Sequence, residues 1–168
     1  MLERMGNVDK KEARSRCWAE ISLDTICENY RWACRISGAD VICVLKANAY
    51  GMGAAEVCRA LRESGAKHFA VASGDEAEEL IREFPGLSLL ILGQVGETQT
   101  GRLAGKNVSF TLFSKEQGEQ MKKISQAAGQ PLKVHFKVDT GLHRLGFSAP
   151  QAAEEIRELC ASGCFITE

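Results

Sequence analysis

The chain has 168 residues, of which 45% are hydrophobic and 26% charged, a composition that predicts one globular domain and excludes a disordered chain. The formal net charge of -1 gives no indication of a nucleic-acid or membrane-surface partner. No apolar run reaches the roughly 18 residues that a membrane span needs. Residues 1–16 are charged and lack the apolar segment of a signal peptide, so we expect a charged leader and a cytoplasmic location.

The cysteines are predicted to be buried free thiols. Their number is odd, no CxxC pair occurs, and most lie in apolar patterns where a free thiol behaves as a small hydrophobe. Cys160 and Cys164 are four residues apart, but no histidine lies near them to complete a metal site, so we predict no metal. The full set is Cys17, Cys27, Cys34, Cys43, Cys58, Cys160 and Cys164.

Strand and helix patterns alternate along the chain. A strand is predicted at 18–23 and a helix at 24–37. Further strands are predicted at 41–47, 68–73, 87–93, 108–113 and 132–141, and helices at 54–64, 75–84, 97–104, 115–129 and 150–163. The strand at 41–47 is almost wholly apolar, which is typical of a strand in a parallel sheet that is covered on both faces.

Three strand-to-helix junctions carry the Ser-x-x-Glu/Gln pattern of a helix start, in which the serine side chain caps the first turn. They are Ser73 with Glu76, Ser114 with Gln117, and Ser148 with Gln151. Regular strand–helix units with short turns predict a parallel α/β fold.

Spacing alone leaves two α/β folds open, a doubly wound open sheet and a (β/α)8 barrel. The sequence has no Gly-x-Gly-x-x-Gly after a strand and no phosphate-binding Gly-x-x-x-x-Gly-Lys-Ser/Thr, which weakens the nucleotide-binding forms of the open sheet. A complete barrel typically needs about 250 residues. This sequence would therefore supply about the first five strand–helix units and the start of a sixth strand.

The stretch VLKANAYGMG, residues 44–53, places Lys46 at the carboxyl end of the first apolar strand. Both α/β folds gather catalytic residues at this end, and a desolvated lysine there can form a Schiff base with a carbonyl compound. Tyr50 adds a hydroxyl, while Gly51 and Gly53 allow the backbone to approach a ligand. Taken alone, Lys46 is better explained as a strand-end lysine that extends its amine into solvent.

The stretch KVDTGLHRLGF, residues 137–147, follows a later strand. It delivers polar groups to a glycine-flanked loop at the same end of the sheet as Lys46. The alternative for this stretch alone is a solvated polar turn. The polar groups are those of Lys137, Asp139, Thr140, His143 and Arg144.

Taken together, the two stretches closely resemble the signature sequences of the N-terminal barrel domain of bacterial alanine racemases, which use pyridoxal 5'-phosphate (PLP) and belong to fold type III. WAEISLDTICENY, residues 18–30, resembles the entry segment of the same family. The resemblance runs from about Trp18 to the last residue. It implies that residues 17–168 form part of a (β/α)8 TIM-type barrel that binds PLP.

The resemblance also implies roles for individual residues. Lys46 would hold PLP covalently and act as the base on the D-amino-acid face of the substrate. Tyr50 would contact the cofactor phosphate, and Arg144 would lie near the phenolic oxygen of PLP and the substrate carboxylate. In many members the lysine at the position of Lys137 is carbamylated and holds that arginine in place.

The implied activity is the interconversion of L- and D-alanine for peptidoglycan precursors by a homodimer. In the family, the second base is a tyrosine from the second domain of the partner subunit, and no such domain occurs in this sequence. We therefore expect a truncated chain that is inactive alone or is completed by another chain. Three alternatives stay open: a serine racemase of the same family, a non-catalytic PLP-binding protein, and a fragment without a cofactor. PLP-dependent decarboxylases on the same barrel depart from the second stretch.

Overall fold

A six-stranded parallel sheet is the framework of the structure, a computed structural model that describes residues 17–167. The strands of the chain are β1 (Ile42–Val44), β2 (His68–Val71), β3 (Ser88–Ile91), β4 (Val108–Leu112), β5 (Leu132–Phe136), β6 (Val138–Asp139), β7 (Phe147–Ser148) and β8 (Phe165–Thr167). The large sheet has the order β1-β2-β3-β4-β5-β8, and every neighbouring pair is parallel. The short strands β6 and β7 pair with each other.

One helix precedes the first strand of the large sheet, and helical segments connect the strands that follow. They are α1 (Leu23–Ser37), α2 (Lys46–Tyr50), α3 (Ala54–Glu63), α4 (Gly74–Glu83), α5 (Glu97–Leu103), α6 (Lys115–Ala128) and α7 (Ala149–Cys160). The short segment α2 is left-handed. The predicted alternation of parallel strands and helices is confirmed, and so is its likeness to part of a (β/α)8 barrel. Apart from the first strand, the predicted elements are observed to within a few residues, except that the strand predicted at 132–141 is divided into β5 and β6. The short elements α2 and β7 were not predicted.

The hydrophobic core lies between the sheet and the helices. Leu89 and Ile91 of β3 are buried, whereas the alternate residue Leu90 on the other face is only half-buried. The other face is more open at the edge strand β1, where Ile42 and Val44 are 45% and 38% exposed. The prediction that this strand is covered on both faces is therefore wrong for the described residues, because β1 has a neighbouring strand on one side only.

The strand predicted at 18–23 is also wrong. Residues 17–22 adopt no regular structure, and α1 begins directly after them. Ser22 caps this helix, because its side chain accepts a hydrogen bond from the N–H of Thr25 (3.2 Å). The charged leader predicted at 1–16 lies outside the described residues.

The three predicted serine caps have different outcomes. At α4, Ser73 and Glu76 form the complete reciprocal pair. At α6, Ser114 accepts from the N–H of Gln117, while the Gln117 side chain turns to the N–H of Phe113. At α7, Ser148 makes no side-chain cap, so the prediction is wrong there. A proline in the first turn of this helix has no N–H, which leaves one donor fewer for a cap to satisfy.

The cysteines of residues 17–167 form no disulfide with one another. Cys17 and Cys160 are exposed, so the prediction of burial is wrong for these two. Burial raises the pKa of the thiols of Cys43 and Cys58 to about 11, so both stay protonated at neutral pH. In residues 17–167, no helix combines the length and the apolar character needed to cross a bilayer.

Candidate active site

Both predicted motifs lie at the carboxyl edge of the parallel sheet. Lys46 follows β1, and Lys137 follows β5. All strands of the large sheet run in the same direction, so their carboxyl ends meet at one edge. The strands β2, β3 and β4 lie between the two motifs.

The chain after Lys46 forms one turn of left-handed helix. Ala47, Asn48, Ala49 and Tyr50 have φ angles of 52°, 54°, 53° and 56°, in the left-handed region. Only glycine and, less often, Asn or Asp occupy this region readily, and other L-residues pay roughly 1–2 kcal/mol each. Four such residues in succession are therefore stable only if surrounding contacts fix them. Strain of this kind is typical of functional sites.

Hydrogen bonds close the turn at both ends. At its start, the N–H of Ala49 donates to the carbonyl of Leu45 (2.8 Å). At its end, the carbonyl of Asn48 accepts from the N–H of Gly53 (3.0 Å), and the Asn48 side-chain oxygen accepts from the N–H of Ala54 (2.7 Å). Asn48 thus caps α3 while occupying a conformation that asparagine tolerates better than most residues.

A carboxylate from α4 fixes the first peptide of the turn. One oxygen of Glu76 accepts from the N–H of Ala47 (2.7 Å), and the other accepts from the N–H of Ala72 (2.7 Å) and of Ser73 (3.3 Å). The peptide between Lys46 and Ala47 is therefore tied to the end of β2. Charge-assisted bonds of this length are among the stronger hydrogen bonds in proteins.

The structure brings Lys46 and Tyr50 together. The Lys46 amine lies 5.9 Å from the centre of the Tyr50 ring. Lys46 is half-buried, and Tyr50 is 62% exposed. A primary amine and a phenol carried by the same turn match the aldehyde and phosphate groups of PLP in chemistry, because the amine can attack a carbonyl and the hydroxyl can donate to a phosphate oxygen.

The segment 137–147 is held at its two ends and by one internal carboxylate. The N–H of Phe147 donates to the carbonyl of Lys137 (2.8 Å), and the Phe147 ring is buried. Between them, one oxygen of Asp139 accepts from the N–H groups of Gly141 and His143 (3.0 Å each). These bonds, with that of Gly141 foremost, lower the pKa of Asp139 below its usual range. The other oxygen of Asp139 lies 3.3 Å from His143 Nδ1.

The remaining predicted residues of this segment are less constrained. Thr140 and Arg144 are exposed, and Lys137 is half-buried. Within residues 17–167, no hydrogen bond or ion pair joins this segment to the turn that carries Lys46. The structure therefore places two separate groups of residues at one edge of the sheet, one around Lys46 and one around Asp139.

Two features of the site are absent from the sequence-based prediction. The left-handed turn is hinted at only by Asn48 and the glycines after it. Glu76 is predicted as the partner of Ser73 in a helix cap, but its bond to Ala47, 29 positions away in sequence, is not. A helix-start pattern describes local bonds alone, so it carries no signal for this contact.

Comparison with known proteins identifies relatives over most of the chain. The family described as "Alanine racemase, N-terminal domain" matches residues 21–167. An alanine racemase from Desulforamulus reducens is 38% identical over 147 residues, which are 86% of this chain and 40% of that protein. An alanine racemase from Methanococcus maripaludis is 38% identical over 148 residues, or 84% of this chain and 40% of its own length.

Solved structures agree with these relatives. Alanine racemase from Clostridium difficile 630 in complex with cycloserine has a TM-score of 0.81 and 30% identity, and the match covers 90% of this chain and 42% of that one. Histidine racemase from Leuconostoc mesenteroides subsp. sake has a TM-score of 0.79 and 28% identity, with 87% and 40% covered. The chain spans about 40% of the length of the curated relatives named above. The sequence profile, the relatives and the fold agree that the chain belongs to the alanine racemase N-terminal domain family.

Proposed function

We propose that this chain carries the lysine-bearing part of a PLP-dependent amino-acid racemase whose substrate is alanine. The observation that carries the proposal is the constrained position of Lys46 on a left-handed turn at the carboxyl edge of the sheet, with its amine beside Tyr50. Relatives named alanine racemase support the choice of substrate. On this proposal, residues 17–168 are part of a PLP-binding barrel domain.

Each proposed residue has a distinct chemical task. PLP, when bound, supplies an electron sink for the negative charge left by a departing α-proton. The Lys46 amine would hold the cofactor and move a proton at the α-carbon on the D-amino-acid face. The Tyr50 hydroxyl would bind the phosphate. The guanidinium of Arg144 would favour negative charge at the phenolic oxygen and at the substrate carboxylate.

Titration of the chain with PLP tests the central part of this proposal. We expect saturable binding that borohydride converts into a stable adduct, and we expect Lys46→Ala to abolish it. The matched control is Lys67→Ala, which removes an exposed lysine directly before β2, at the opposite end of that strand from the site, and should keep the adduct. Saturable binding that survives in Lys46→Ala would contradict the proposal. A folded chain without any binding would support the fragment without a cofactor.

The substrate is tested by exchange of the α-proton in heavy water. One base is enough for exchange, so the assay does not require a complete racemase. With PLP present, we expect deuterium to enter D-alanine faster than L-alanine, and faster in wild type than in Lys46→Ala. Serine is the second candidate substrate, and the histidine racemase among the structural relatives adds histidine to the panel. Bound PLP without exchange on any of the three would indicate a non-catalytic PLP-binding protein.

The proposal includes carbamylation of Lys137. A carbamate would replace the cation of this half-buried lysine with an anionic group able to orient Arg144. Intact mass measured after mild handling should show the added carbamate in wild type and not in Lys137→Ala. An unmodified wild-type mass would refute the modification.

The proposal also predicts a homodimeric, cytoplasmic enzyme that supplies D-alanine for peptidoglycan.

A further inference from the structure

The carboxylate of Glu76 takes the place of a backbone partner where β1 ends. The N–H of Leu45 still donates to the carbonyl of Ala70 (2.7 Å), as in a parallel ladder. Two residues later, the N–H of Ala47 and the N–H of Ala72 both donate to Glu76, one to each oxygen. The side chain therefore continues the pairing of the two strands beyond the point where the backbone of β1 turns away.

The bond to Ala47 is separate from the ordinary task of a helix cap. At the start of α6, Gln117 occupies the position that Glu76 occupies at α4, and its oxygen accepts from the N–H of Phe113 (3.0 Å). The nitrogen of the Gln117 amide donates to the carbonyl of Thr111 (3.1 Å). An amide thus suffices to bind the end of the preceding strand. Only a carboxylate has a second acceptor oxygen to offer an N–H on another element.

We propose that Glu76 is a positioning residue for Lys46, because it fixes the peptide that follows Lys46 and so holds the left-handed turn and the direction of the Lys46 side chain. This inference rests on the proposed function for its chemical consequence, which is efficient reaction of Lys46 with PLP. Its structural part concerns the turn alone. In the part of the chain that the structure describes, the Glu76 carboxylate accepts from the backbone N–H groups of Ala47, Ala72 and Ser73 and makes no hydrogen bond or ion pair with Lys46 Nζ, so it acts through the backbone.

The variant Glu76→Gln separates the two tasks of this side chain. By analogy with Gln117, the amide oxygen is expected to keep the bonds to Ala72 and Ser73, which leaves the NH2 group facing the N–H of Ala47 without an acceptor. The matched control is Ser73→Ala, which weakens the same helix cap and leaves the carboxylate intact.

Two measurements are made on each variant. The first is amide hydrogen exchange at Ala47, which needs no cofactor; we expect it to be at least about tenfold faster in Glu76→Gln and unchanged in Ser73→Ala. The second is the PLP concentration that gives half-maximal borohydride adduct at Lys46, which we expect to rise about tenfold in Glu76→Gln alone. A urea midpoint for each variant shows that the chain is folded.

The outcomes separate this inference from the proposed function. If wild type forms no adduct at Lys46, the proposed function fails, and exchange at Ala47 still decides whether Glu76 holds the turn. Unchanged exchange at Ala47 in Glu76→Gln would overturn the inference in either case. Equal loss of adduct in Ser73→Ala would also overturn it, because the start of α4 rather than the bond to Ala47 would then position Lys46.

Discussion

The two lysine-bearing segments at the carboxyl edge of the sheet are stabilised in different ways. The turn after Lys46 is held from outside by β2, α3 and α4, through bonds that include Glu76 to Ala47 and Asn48 to Ala54. The segment 137–147 is held mainly by itself, through Asp139 and the pairing of β6 with β7. Exposure does not separate the two segments, because Tyr50 in the turn is 62% exposed and Leu142 in the segment 137–147 is 73% exposed.

The hydrogen bonds show that the turn after Lys46 is fixed by other elements of the fold, whereas the loop that carries Arg144 is not. The left-handed turn is a strained backbone that long-range contacts fix, which suits the proposed role of Lys46 as the residue that would hold the cofactor. Arg144, by contrast, projects from a loop whose bonds are local. Two substitutions and one change of pH test this difference between the two segments.

The largest expected effect is on the segment 137–147, from Gly146→Ala. Gly146 has φ +146°, and an added Cβ would lie 2.4 Å from the N of Asp139, which is backbone and cannot move aside. We expect the free energy of unfolding to fall by about 3 kcal/mol, as the sum of backbone strain and overpacking. Urea denaturation measures this free energy of unfolding.

Gly141→Ala is the matched control for this variant. Gly141 also has positive φ, +126°, but an added Cβ there meets nothing within 4 Å. We expect a loss of only about 1 kcal/mol from strain. Equal losses in the two variants would show that the close approach of Gly146 to Asp139 is unimportant.

An intermediate effect is expected in the turn, from Asn48→Ala. The substitution removes the acceptor for the N–H of Ala54 at the start of α3 and places another alanine in the left-handed region. We expect a loss of about 1–2 kcal/mol in the free energy of unfolding. Asn48→Asp keeps an acceptor oxygen and should stay within about 0.5 kcal/mol of wild type. A loss in Asn48→Asp as large as in Asn48→Ala would contradict the capping role.

The smallest expected effect is a local loosening of the segment 137–147 in acid. The pKa of Asp139 is lowered in the folded chain, so the carboxylate contributes stability above its ordinary pKa of 3.8 and loses that contribution as the pH falls through the lowered value. Pepsin, which works in acid, should cleave near Leu142 only below pH 3.8. Rates are compared with those for an unfolded peptide of the same sequence.

Asp139→Asn provides the control for this pH effect. The amide cannot titrate, so cleavage near Leu142 should lose its dependence on pH below 3.8 once the rate on the unfolded peptide is divided out. The same pH dependence in Asp139→Asn would assign the loosening to another group.

The sequence predicted the fold and the placement of the site better than its internal construction. Apolar runs that alternate with amphipathic stretches determine a parallel α/β fold, so the strands and Lys46 at the end of β1 were predictable. The strand predicted at 18–23 failed because alternation over six residues does not supply a pairing partner. The bond of Glu76 to Ala47 was not predictable, since it joins residues brought together only by the pairing of β1 with β2.

The distribution of pyridoxyl label among the lysines shows whether the left-handed turn makes Lys46 the preferred lysine for PLP. Wild-type chain is treated with a low concentration of PLP, reduced with borohydride and digested, and the label on each lysine peptide is quantified. We predict that the label on Lys46 saturates first, and that Lys137 and the exposed lysines are labelled only in proportion to added PLP. Label spread evenly over the lysines would contradict this prediction.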